Sequence, residues 1–145
     1  MFPDPIQHMS AEQAKRHASL LVIIAAADGE LVREEVSAIE SIMGAAMLHP
    51  DHRNEVRRLL NQPPSLESLT SQMTKDDLRL ALRDAVIVAA SDGQCDSSEL
   101  QILNDIATKA GLDEDNVRNL ISWVGKGWKW MDVGLKNIEL ENGQV

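Results

Sequence analysis

"AAADGELVREE", residues 25–35, recurs as "AASDGQCDSSE" at residues 89–99, an offset of 64. Each copy pairs an Asp-Gly step with a glutamate six residues past the glycine: Asp28, Gly29 and Glu35, then Asp92, Gly93 and Glu99. The flanks align without a gap. Val22, Ile23, Ala25 and Ala26 match Val86, Ile87, Ala89 and Ala90, and Ile42, Ala46 and Leu48 match Ile106, Ala110 and Leu112. Each copy reads as an apolar helix, an acidic turn and a second, amphipathic helix. Two such hairpins can pack about a pseudo-twofold axis, each burying the stripe that the other cannot cover alone.

The surrounding chain agrees with helices. It has no Tyr and one Phe, and Ala, Leu, Ile and Met recur at three- and four-residue steps, the helical period. Ser10 with Gln13 reads as a capping box opening a helix to about residue 26. A second helix is expected over residues 33–47, with Val36, Ile39, Ile42 and Met43 on one face. Asp51 is expected to cap a short helix to residue 60, and the prolines of "NQPPS" mark a stiff connector. Thr74 caps a helix over 75–90, Asp96 one to about residue 110, Gly111 stops it and Asp113 starts another. The expected fold is all-α, a compact bundle of about seven helices. Its domain plan is an arm at 1–10, a helical domain at 11–122 and a tryptophan-containing segment at 123–145.

Composition narrows the function. The chain of 145 residues carries a formal net charge of −9, which repels nucleic acid phosphates. Its single cysteine, Cys95, excludes an internal disulfide and a cysteine-rich zinc site. The longest apolar run, residues 20–27, falls far short of a membrane span. "MFPDPIQHM" lacks the features of a signal peptide, so a cytoplasmic protein is expected.

The acidic turns have two readings. In a calcium-binding helix–loop–helix numbered with Gly29 at position 6, Asp28 stands at 5 and Glu35 at 12; the second copy places Asp92, Asp96 and Glu99 at 5, 9 and 12. Positions 1 and 3 are Ile24 and Ala26, or Val88 and Ala90, which offer no side-chain oxygen. Neither loop is a working EF-hand. One reading is helix punctuation: the glycines end helices, Asp96 to Glu99 form a capping box, Glu35 suits a helix dipole, and the aspartates bond within their turns. In the other, the pseudo-twofold axis brings Asp28, Glu35, Asp92 and Glu99 together around one shared divalent cation, calcium first and magnesium second. Without a cation, four converging carboxylates repel, and some stay protonated near neutral pH.

The doubled A-x-D-G-x5-E pattern, in an all-helical chain of this length, resembles the tellurite-resistance TerB family and the TerB-like domains of some membrane-anchored J-domain co-chaperones. The resemblance spans residues 12–122. It implies a compact helical fold with internal pseudosymmetry, metal binding at Asp28, Glu35, Asp92 and Glu99, and association with tellurite and other stress responses.

Other features carry less. His49-Pro50-Asp51 matches the J-domain tripeptide, but the preceding "ESIMGAAML" is acidic and apolar where a J domain is basic, so a proline turn with an aspartate cap explains it. His49 and His52 lack an evident third metal ligand. Cys95 sits in an acidic turn that disfavours its thiolate. There is no G-x-S-x-G, phosphate-binding glycine loop or H-E-x-x-H, and no enzyme is expected.

The tail "SWVGKGWKWMDVGL" holds all three tryptophans, Trp123, Trp128 and Trp130, beside Lys126 and Lys129. They are the candidate partner-binding residues. Docking of the segment onto a core groove is favoured over a protein contact or peripheral membrane association. The leading functional expectation is a metal-responsive interaction module with a protein partner. The alternative is a metal-independent structural adaptor that uses its tryptophan segment.

Overall fold

A computed structural model describes residues 2–91, 93 and 95–140. Among these, the fold is all-α, with seven α-helices and no strand. They are α1 (Ala11–Ala25), α2 (Arg33–Ala45), α3 (Pro50–Leu59), α4 (Leu66–Thr70), α5 (Lys75–Ala89), α6 (Ser97–Lys109) and α7 (Glu114–Asn137), after a 3-10 turn at Pro5–His8. Helices α1 and α5 begin 64 residues apart, as do α2 and α6.

Most helix starts follow from local chemistry. Ser10 and Gln13 form a reciprocal capping box, as do Thr74 with Asp77 and Asp113 with Asn116. Each satisfies backbone N–H groups that a first helical turn leaves open. Helix α3 departs from expectation: its N-cap is His49, whose Nδ1 accepts from the Asp51 N–H at 3.1 Å. Pro50 is the reason. Its fixed φ and missing N–H suit the first helical position, so the cap moves two residues earlier, from Asp51 to His49. Ser65 caps the short α4, a helix not foreseen behind the proline pair.

Helix α2 ends at Ala45, two residues before the expected stop. Met47 takes φ 55°, and the Leu48 N–H returns to the Met43 carbonyl at 3.1 Å. Gly111 closes α6 in the same way at φ 74°, with Leu112 donating to Ala107 at 2.8 Å. Both are left-handed helix stops.

The core forms around α1 and α5, which pack against each other more extensively than any other pair. From His17 to Ala25, every residue of α1 is buried. Such a helix, apolar nearly all round, belongs at the centre of a bundle. Helices α2, α3, α4 and α6 flank α1, while α2, α6 and α7 flank α5. Ile39, Met43, Leu103 and Ile106 complete the interior from α2 and α6. Each fully buried chain of this size contributes roughly 1.5–3 kcal/mol over exposure.

One polar network sits inside this core. His17 Nε2 lies 2.7 Å from Asp84 Oδ2, Arg83 binds the other oxygen of Asp84, and Arg83 also reaches Asp4 at 3.0 Å. The network ties the N-terminal arm to α1 and α5.

Candidate metal site at the paired acidic turns

The first helix of each hairpin ends at Ala25 or Ala89, and the turn that follows passes through a glycine with a backbone that other residues avoid. Gly29 has φ 81° and Gly93 has φ 87°. The turns that follow point their carboxylates toward one another. Asp28 of the first turn and Asp96 and Glu99 of the second each present a carboxylate oxygen, all within 4.8 Å of one another. Two of these residues also serve the backbone. Asp28 Oδ1 accepts from the Glu30 N–H at 2.9 Å. Asp96 Oδ1 accepts from the Glu99 N–H at 2.8 Å and the Ser98 hydroxyl at 2.7 Å.

Glu99 differs from both. It is 4% exposed, and its Oε2 is buried with no hydrogen-bond partner among the described residues. The capping box expected of Asp96 and Glu99 is half made. Asp96 caps α6, but the described hydrogen bonds include no return bond from Glu99 to the cap backbone. The glutamate carboxyl is turned into the acidic cluster instead. Burial, then the charge of Glu35, then the neighbouring Asp96 raise its pKa from 4.5 to about 8. Asp96 moves the other way, to about 2, held down by the Glu99 N–H and then the Ser98 hydroxyl.

The four expected ligands fare differently. Asp28 and Glu99 are brought together. Glu35 lies outside that trio of converging oxygens, yet it is 3% exposed in the first turn of α2 and near enough to raise the Glu99 pKa. No side chain caps α2, whose cap position is Val32. Asp92 lies outside the described residues. Asp96 is the member that sequence reading missed as a ligand. Its place at position 9 of the calcium-loop register was the available signal, and its evident role as a cap hid it.

The geometry suits a hard cation. Calcium binds oxygen at about 2.3–2.6 Å, so two of its ligands can stand about 5 Å apart. Separations up to 4.8 Å fall inside that span. Magnesium, with bonds of about 2.0–2.1 Å, requires its oxygens within about 4.2 Å of each other. A cation would replace the proton on Glu99, supply a partner to its buried oxygen and relieve the repulsion.

The tryptophans occupy a second region. Helix α7 runs without a break through residues 122 and 123, and its buried residues are Val117 and Val124. Trp123, Trp128 and Trp130 remain 48%, 49% and 59% exposed. The expected docking of this segment into a core groove is therefore not what residues 123–140 do. Val124 is the last α7 residue held in the core, and the helix continues beyond it. Trp128 lies along Gly93, where a built Cβ would sit 3.4 Å from the indole. Phe2 of the arm packs on Trp130 with ring centroids 5.4 Å apart.

A helical bundle with convergent acidic turns defines the class of protein. A family model described as tellurite resistance protein TerB matches residues 14–121, and the chain belongs to that family. No curated protein and no solved structure matches the chain. No described helix is long and apolar enough to cross a membrane.

Proposed function

We propose that this TerB-family chain is a cytoplasmic, stress-response-associated module that holds one divalent cation between its acidic turns and engages a protein partner. Calcium is the first choice and magnesium the second. The supporting observation is that Asp28 from one hairpin meets Asp96 and Glu99 from the other within 4.8 Å, around a buried glutamate oxygen with no hydrogen-bond partner among the described residues. The proposed ligand set also takes in Glu35, the sequence counterpart of Glu99, and Asp92, the sequence counterpart of Asp28. A cation shared between the turns joins two hairpins that otherwise repel there, so binding stabilises one arrangement of the bundle. The module binds rather than catalyses, and its partner is not a nucleic acid.

A second reading is favoured by the backbone duties of the aspartates. Asp28 and Asp96 each give one oxygen to a turn or a cap, which suits a metal-independent adaptor whose contact is the exposed tryptophan helix. Calorimetric titration of chelator-stripped protein with calcium separates the two, run beside the double variant Glu35→Gln and Glu99→Gln. Saturable binding that the variant abolishes supports the shared site. If millimolar calcium gives neither heat nor a shift in thermal stability, and zinc and manganese do no better, the adaptor stands.

A further inference from the structure

One face of α7 alternates very large and very small residues. Trp123, Gly127, Trp130 and Gly134 stand at i, i+4, i+7 and i+11, the spacing that keeps residues on one side of a helix. The glycines are unusual there. Glycine is the poorest helix former after proline, yet a Cβ built on Gly127 or Gly134 meets nothing within 4 Å among the described residues. Packing among the described residues therefore gives no reason for either. Close approach of another backbone or ring does.

Each glycine opens onto a hollow. A cavity of about 650 Å³ includes Gly127 in its lining, with Phe2, Ile87, Trp123, Trp130 and Met131 around it. Another, of about 300 Å³, lies at Gly134 between Trp130, Met131, Val133 and Leu135.

We infer that this face of α7 is the contact face of a symmetric dimer, its occupant a second copy of the chain. The pattern is self-complementary. In an antiparallel pair with the twofold axis passing between residues 128 and 129, Trp123 lies opposite Gly134 of the second copy, and Gly127 lies opposite Trp130. Both indoles of this face, Trp123 and Trp130, then meet a glycine hollow, and the symmetry repeats each match. In the same register Lys126 faces Met131, so the lysines do not oppose one another. Their aliphatic stems cover apolar surface while the ammonium groups stay in water.

The available area agrees. Aromatic side chains bury about 150–250 Å² each when wholly covered, and Phe2, Trp123 and Trp130 are 70%, 48% and 59% exposed. With Met131, Val133, Ile138 and Leu140, also exposed, the face approaches the roughly 800 Å² per partner of a standard interface. A preformed concave face between the arm and α7 fits an inserted ring better than a flat bilayer.

This inference rests on reading the tryptophan helix as a contact surface and is independent of the cation. Sedimentation equilibrium of the full chain, from micromolar to millimolar, tests it with Gly127→Glu, Gly134→Glu and Trp130→Ala. The expected result is a monomer–dimer equilibrium that each variant weakens about tenfold or more, the scale of losing an interface anchor. The glycine variants keep or increase helical circular dichroism, which separates a lost interface from a lost fold. A chain that stays monomeric throughout, or a dimer that survives both glycine variants, overturns the inference. The monomer is then mixed with vesicles of phosphatidylserine and phosphatidylcholine. Binding that Trp130→Ala abolishes keeps the helix as a contact surface while discarding the second copy. Its absence counts against both.

Discussion

The carboxylates of Asp28 and Glu99 come within 4.8 Å of each other, although they belong to different helical hairpins and only Glu99 is buried. That pairing sets an electrostatic cost which can be measured. The Glu99 pKa is raised to about 8 in the fold, against an ordinary 4.5, by burial and then by Glu35 and Asp96. Between those values the folded state holds a proton that the unfolded chain releases. Metal-free stability therefore falls as pH rises from about 4.5 to 8, by on the order of 5 kcal/mol in all. Thermal melts in the presence of chelator should show this slope, and Glu99→Gln should flatten it. Asp96 acts in the opposite sense. Its pKa is depressed to about 2, so its stabilisation is present above the ordinary 3.8 and lost as pH falls toward 2.

Cation and proton compete for Glu99. Binding at pH 7 should release close to one proton, and the apparent affinity should tighten up to about tenfold per pH unit until pH 8. Titrations in buffers of different ionisation enthalpy measure the released proton directly. Proton release near zero at pH 7 would show that the cation, if bound, does not use this glutamate.

Substitutions at Asp96 separate capping from ligation. Asparagine caps a helix about as well as aspartate, whereas alanine costs about 1 kcal/mol. Asp96→Asn should keep the cap and lose only the charge, so it should cost less metal-free stability than Asp96→Ala, yet weaken calcium binding at least several-fold. Asp96→Ala should do both. Chemical denaturation in chelator, alongside calorimetry, gives the two readings.

The two turn glycines should differ in cost. Both adopt a positive φ that disfavours alanine, by about 1–2 kcal/mol. Around Gly29 there is space for a methyl group, while at Gly93 the Trp128 ring lies 3.4 Å from a built Cβ. Ordinary contact is tolerable there only if the ring keeps its place. Gly93→Ala should therefore cost at least as much as Gly29→Ala, and it alone should change tryptophan fluorescence.

The buried His17–Asp84 pair predicts a larger loss. Their side chains are 3% and 2% exposed, and Arg83 also depends on Asp84. Removing one partner of a buried, hydrogen-bonded pair strands the others, at about 3–5 kcal/mol. Asp84→Ala should lower the denaturation midpoint accordingly, measured at fixed pH. An effect below about 1 kcal/mol would mean that the network contributes little.

Much of the fold was legible in the sequence because it depends on residues within one or two turns of each other. The period of apolar residues gives helices, Ser10 with Gln13 and Thr74 with Asp77 open two of them, and Gly111 ends another. These are short-range preferences, nearly independent of the rest of the chain. Where local reading slipped, another local rule prevailed, as when Pro50 took the first helical position and left His49 as the cap.

The sequence by itself determined the all-helical class, the doubled Asp-Gly…Glu register and the two glycines that turn the chain at Asp28 and Asp92. Only the tertiary structure decided which acids meet. It placed Asp96, a cap by its local chemistry, beside Asp28, and turned Glu99 away from its own cap into that cluster. It also paired His17 with Asp84 and left the tryptophans of α7 half exposed. Burial and electrostatic proximity arise between residues far apart in the chain, so no reading of neighbours reveals them. A carboxylate can satisfy a local cap with one oxygen and still face a distant partner with the other, and packing alone determines whether such a partner is there.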